Sequence, residues 1–142
     1  MGDGKAGGTA REASRRILVV DDDRLLAETL RAMIADLAQF DLRIDVSIEI
    51  TTSGRDAARR LEADEPYDAV ICDLGMPGVS GIALYAALVA RQSPLARRFV
   101  LVTGGVFSPA DTAFLERHPL PCLQKPFDAD QLTTLLRPLL ET

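Results

Sequence analysis

The sequence holds only two cysteines, Cys72 and Cys122, and each falls inside a predicted strand. Their spacing makes no metal-binding pattern, and a reducing compartment would keep both as free thiols. No apolar run reaches about 18 residues, so no segment reads as a spanning helix. Positive charge is in deficit. Sixteen Lys and Arg against twenty-one Asp and Glu give a net charge of −5 and a pI near 4.8. That balance argues against a nucleic-acid backbone or an anionic membrane surface as the main partner of this chain. The phosphate loop GxxxxGK[ST] is missing, since the early "GDGK" follows no strand and lacks the hydroxyl. The dinucleotide signature GxGxxG is missing too, because "DDDRLL" stands where it would follow the first strand. Residues 1–15 are polar and Gly-rich, with no apolar stretch of a signal peptide. They predict a disordered lead-in to a cytoplasmic protein.

What is present is an alternation of two patterns in a chain long enough for one domain, placed at residues 16–140. It is 47% hydrophobic and 26% charged, an ordinary globular balance. Residues 17–20, 69–72 and 99–102 are continuous apolar runs, as in strands buried on both faces. Residues 44–50 alternate apolar and polar, as in a strand with one wet face, and "CLQ" at 122–124 is a short last strand. Between them, helical spacing covers about 23–38, where Leu25, Leu26, Leu30, Met33, Ile34 and Leu37 recur. Further helices are predicted over about 54–62, 82–90, 109–116 and 128–137. Asp128 and Gln131 would form a capping box, and Pro138 would disturb the end. Five strands alternating with five helices imply a parallel sheet covered on both faces. Putting the three continuous strands in the centre gives a flavodoxin-like (βα)5 doubly wound α/β fold, order 2-1-3-4-5.

In such a sheet, ligands bind beyond the carboxyl ends of the strands, at the switch between the first and third. The first polar residues there are Asp21 and Asp22, then Asp73, Thr103 and Lys125. Three carboxylates this close need a counter-charge. Mg²⁺ suits them, since it takes oxygen ligands and leaves positions for phosphoryl oxygens. Lys125 and Thr103 could then hold phosphoryl oxygens, and one carboxylate could act as nucleophile. Each residue alone has a plainer role. Asp22 or Asp23 could cap a helix, Asp73 could serve a turn, Thr103 could be a strand residue and Lys125 a solvated lysine. Four unrelated strand ends supplying matched groups favours the joint reading, with Asp23 left as a helix N-terminal residue.

The segments "ILVVDDD", "DAVICDLGMPGVSG", "VLVTGG" and "LQKPF", in this order and spacing, resemble the receiver domains of response regulators. The likeness covers nearly the whole chain, from about Arg16 to Leu140. Its flavour is that of receivers at the C-terminus of hybrid sensor histidine kinases. The resemblance implies that Asp73 accepts a phosphoryl group from a phosphohistidine on a histidine kinase or a histidine phosphotransfer protein. It implies Mg²⁺ bound by Asp22, Asp73 and the Gly75 backbone carbonyl, with Asp21 acting through water. It implies that Thr103 and Lys125 bind the phosphoryl group, and that the Lys125–Pro126 peptide is cis. It also implies signalling rather than enzymatic turnover, beyond autodephosphorylation.

Two departures stand out. The family's switch aromatic, three residues before the lysine, is Cys122 here, so the loop carrying Gly104 and Gly105 is expected to transmit the change. Glycine at 75 and 105 leaves no side-chain gate over an acyl phosphate. Two other functions compete: a haloacid-dehalogenase-type phosphatase with an Asp nucleophile, and an inactive receiver used only for binding. The phosphatase would leave "MPGVSG" unexplained. His118, beside Pro119, predicts a solvated or helix-capping residue rather than a phosphate donor. The seventeen residues after Lys125 suffice for one helix, so a stand-alone or excised receiver without an output domain is expected.

Overall fold

The computed structural model describes residues 14–63, 67–105 and 107–141. Five parallel strands form one sheet in the order β2-β1-β3-β4-β5. They are β1 (Arg15–Val20), β2 (Val46–Thr51), β3 (Ala69–Asp73), β4 (Phe99–Thr103) and β5 (Cys122–Gln124). The helices are α1 (Arg24–Asp36), α2 (Gly54–Glu62), α3 (Gly81–Ala90), α4 (Pro109–Arg117) and α5 (Ala129–Glu141). The predicted order and the predicted central strands are those observed. Every residue of β3 and β4 is buried, as continuous apolar runs require when helices cover both faces.

Strand alternation sorts the core into two layers. Ile17 and Val19 of β1 face Ala27, Leu30 and Ile34 of α1 and Leu132, Leu136 and Leu140 of α5. Leu18 and Val20 face the opposite layer with Ala57, Leu61, Leu84 and Leu88 from α2 and α3. Among the described residues, no helix is long and apolar enough to cross a membrane.

The differences from expectation have local causes. The first helix does not stop near Ala38 but widens into a π-type turn, Leu37–Leu42. Arg43 ends it in the left-handed conformation, φ 56°, and the Ile44 N–H returns to the Ala38 carbonyl at 3.0 Å. Ile44 therefore belongs to a helix cap, and β2 begins only at Val46. Leu25, counted with the apolar stripe, is 77% exposed; Ala27 takes its place in the core. A short 3₁₀ turn, Pro94–Arg98, was not foreseen. The last helix continues through Pro138 to Glu141. Leu136 and Leu140 are fully buried on either side of the proline, and Arg98 Nη1 donates to the Leu139 carbonyl at 2.7 Å. This packing outweighs the lost backbone bond. The capping box is present, with Asp128 and Gln131 exchanging hydrogen bonds of 2.9 Å. Strand β1 begins at Arg15, whose N–H donates to Asp45 O, so ordered structure reaches into the lead-in expected at 1–15. The remainder of that lead-in, 1–13, lies outside the described residues.

Candidate functional site

The strand register assembles the rim. Val20 pairs with Cys72, so the next residues, Asp21 and Asp73, emerge side by side. Thr103 pairs with Gln124, and the Lys125 N–H donates to the Thr103 carbonyl at 2.8 Å. Lys125 is thereby set one residue past the end of β5, and its peptide bond to Pro126 is cis.

Asp21, Asp22 and Asp73 each offer a carboxylate oxygen, and the three oxygens lie within 4.8 Å of one another. Lys125 Nζ pairs with Asp73 Oδ1 at 3.1 Å and stands 4.0 Å from Asp21 Oδ2. Asp21 and Asp73 are buried, while Asp22 is exposed. Asp21 Oδ1 accepts from the Asp23 N–H at 2.8 Å, but Oδ2 is buried without a hydrogen-bond partner. Burial pushes the Asp21 carboxyl up to about 6. The Asp23 N–H opposes this, Asp73 adds to it, Lys125 opposes it and Asp22 adds to it. One ammonium for three carboxylates leaves the cluster short of positive charge. Hard oxygen donors, an orphaned buried oxygen and a charge deficit together fit a small divalent cation.

Thr103 is buried, and its hydroxyl accepts from the Gly105 N–H at 3.0 Å. Gly105 needs glycine's freedom, with φ +91°. A Cβ there would meet Gln124 Nε2 at 2.6 Å, whereas one on Gly75 or Gly104 would meet nothing within 4 Å. Gly75 and Gly104 thus face open space, whereas Gly105 lies against the Gln124 side chain. Cys122 is exposed, its thiol directed to the Leu120 carbonyl at 3.5 Å, and β5 carries no aromatic ring. Rings on this side of the sheet come from elsewhere: Tyr85 packs edge-on against Phe114, and His118 lies 4.7 Å from Phe114. His118 caps α4 through its backbone N–H, as expected for a capping residue. Cys72 is buried, and burial first, then Asp73 and Asp21, push its thiol well up, leaving it unreactive.

Asp23 stands apart from the cluster. Its Oδ1 accepts from Leu25 N at 3.1 Å and Leu26 N at 3.3 Å, making it the N-cap of α1. Asp23→Ala is expected to cost about 1 kcal/mol in urea unfolding, as cap losses do, without touching the carboxylate cluster.

Sequence reasoning passed over Gly81. A Cβ there would lie 2.6 Å from the Asp73 carbonyl oxygen, so the start of α3 presses directly on the backbone of Asp73. Gly81 closes the segment "DAVICDLGMPGVSG", where Ser80 caps α3 by accepting from Ala83 N.

Residues 17–137 match the sequence profile of the response regulator receiver domain. The response regulator MprA of Mycolicibacterium vanbaalenii is 32% identical over 125 residues, which cover 88% of this chain and 50% of MprA. The transcriptional regulatory protein FixJ of Bradyrhizobium diazoefficiens is 28% identical over 84% of this chain and 54% of its own length. The chain therefore spans about half the length of these curated relatives. Among solved structures, a response regulator from Chloroflexus aurantiacus superposes with TM-score 0.70 at 27% identity, covering 91% of this chain and 99% of that one. The receiver domain of sensor histidine kinase PA1611 from Pseudomonas aeruginosa, which holds a magnesium ion in its active-site cleft, shares the fold with TM-score 0.70 at 21% identity, over the same shares of the two chains. With the profile spanning most of the chain and five strands in the matching order, the chain belongs to the response regulator receiver domain family of two-component signalling.

Proposed function

We propose that Asp73 is the phosphoacceptor and takes its phosphoryl group from a phosphohistidine on a histidine kinase or histidine phosphotransfer protein. The observation that carries this reading is the buried Asp21 oxygen that lacks a hydrogen bond within a three-carboxylate cluster beside Lys125. Asp22, Asp73 and the Gly75 carbonyl would hold Mg²⁺, with Asp21 contributing through water. When bound, the cation supplies counter-charge for the carboxylates and the incoming phosphoryl oxygens. Lys125 already neighbours the Asp73 oxygen and remains beside the phosphoryl group it acquires. The Thr103 hydroxyl turns to donate to a second phosphoryl oxygen. Mg²⁺-dependent gain of one phosphoryl mass from acetyl phosphate tests the reading; a chain inert under those conditions would be a binding module only. The domain is read as 16–140, in the cytoplasm, with any hybrid-kinase context set by its flanking segments.

The signal passes through the Thr103 loop. With no ring at Cys122, the mobile part is the pair Gly104 and Gly105, tied to Thr103 by the Gly105 N–H. Structures with and without a bound phosphoryl mimic should differ in backbone at Gly104 and Gly105. Superimposable backbones there would refute this route.

A further inference from the structure

Beside the carboxylate cluster lies a cavity of about 400 Å³. Asp22, residues 52–55 and residues 76–79 line it. Its two outer walls are fixed to each other. A Cβ on Gly54 would lie 2.4 Å from the Val79 carbonyl oxygen, so the start of α2 touches the loop after β3 through backbone. Arg55 is the next residue and is exposed to the cavity. The other arginines of α2 are committed, Arg59 to Asp56 and Arg60 to both Asp56 and Glu49. Arg55 has no ion pair or hydrogen bond from its side chain among the described residues. An uncommitted guanidinium therefore shares a cavity with Asp22, a member of the carboxylate cluster that also contains Asp73. A guanidinium presents forked donors that match a carboxylate.

We propose that Arg55 and this cavity select small phosphoryl donors by their leaving group, favouring acyl phosphates. The inference rests on Asp73 being the acceptor. In the reaction, a bond forms between an Asp73 carboxylate oxygen and phosphorus, and the bond from phosphorus to the acyl oxygen breaks. That oxygen keeps the electron pair and departs as a carboxylate. Negative charge grows on it in the transition state, where a guanidinium stabilises it. Phosphoramidate differs, because its nitrogen carries protons and departs as neutral ammonia, offering Arg55 no anion.

The test compares phosphorylation rates of the full chain with acetyl phosphate and with phosphoramidate at saturating Mg²⁺, for wild type, Arg55→Gln and Arg55→Lys. The acetyl phosphate to phosphoramidate rate ratio is expected to fall about fivefold in Arg55→Gln, the size of one partly solvated charge contact, and to recover only in part in Arg55→Lys, which restores the charge without the fork. The ratio is insensitive to a general loss of folded protein, since both donors report on the same sample. A ratio unchanged in Arg55→Gln, with both donors active, would overturn the inference and leave Asp73 as acceptor. A wild-type chain phosphorylated by neither donor would overturn both.

Discussion

Asp73→Asn should reduce phosphorylation by acetyl phosphate to the background of the assay while leaving the fold intact. The amide keeps the shape of the side chain but cannot attack phosphorus. Asp73 is buried at the end of β3, held between Lys125 and the start of α3, so the space available to the side chain does not change. The substitution loses one charge pair and also removes one of three mutually repelling carboxylates. These opposing terms leave thermal stability close to that of the wild type. Intact-mass measurement reads the phosphorylation, and a melting curve reads the fold. Phosphorylation of Asp73→Asn at the wild-type rate would place the acceptor elsewhere.

Asp21→Asn should raise the stability of the metal-free protein at pH 7, and cost it most of its response to Mg²⁺. Asp21 is 1% exposed, and one of its oxygens has no hydrogen-bond partner. Its carboxyl titrates near 6 in the folded chain against an ordinary 3.8, chiefly through burial. For an acid raised in this way, the folded state binds the proton more tightly than the unfolded state. The penalty for ionising is therefore absent below the unfolded value, grows as pH rises through the interval between the two values, and is complete above the folded one. Removing the charge should recover on the order of 1–3 kcal/mol at pH 7, and nothing near pH 3. Added Mg²⁺ should stabilise the wild type in proportion to the logarithm of its concentration above the dissociation constant, and the variant far less. Urea unfolding at two pH values, with and without Mg²⁺, measures all of this. A variant less stable than the metal-free wild type at pH 7 would show that Asp21 is a structural residue.

Much of this arrangement was legible because it depends on pattern. Continuous apolar runs marked β1, β3 and β4 as central, and the alternation at 44–50 marked an edge. Helix α2 and strand β5 have the bounds their sequences predict, because Ser53 caps one and the other is a bare three-residue run. The rim residues Asp21, Asp22, Asp73, Thr103 and Lys125 were legible because each is the first polar group, or nearly so, at the end of an apolar strand run. Other features arise from packing at long range. Sequence does not tell that Asp21 is buried and Asp22 exposed, since adjacent residues leave a strand on opposite sides. Leu25 fits a helical stripe by spacing but lies on the outward face of α1 with Thr29 and Ala32, which are exposed too, while Ala27, Leu30 and Ile34 face the core. Pro138 reads as a terminator, yet the contacts of Leu140 and Arg98 carry the helix past it. The cavity with Arg55 lies where Gly54, at the start of α2, meets Val79 in the loop after β3, a contact between segments far apart in sequence. The absent ring at position 122 was visible in sequence; that Tyr85, Phe114 and His118 gather on that side of the sheet was not.

The most direct test of the central claim is to locate the phosphoryl group itself. The chain is phosphorylated with acetyl phosphate and Mg²⁺, then treated with borohydride, which reduces an aspartyl phosphate to homoserine, and its peptides are sequenced by mass spectrometry. Homoserine at position 73, formed only when Mg²⁺ is present, is the predicted result. Homoserine at position 21 or 22, phosphate on His118, or no modified peptide at all would contradict it.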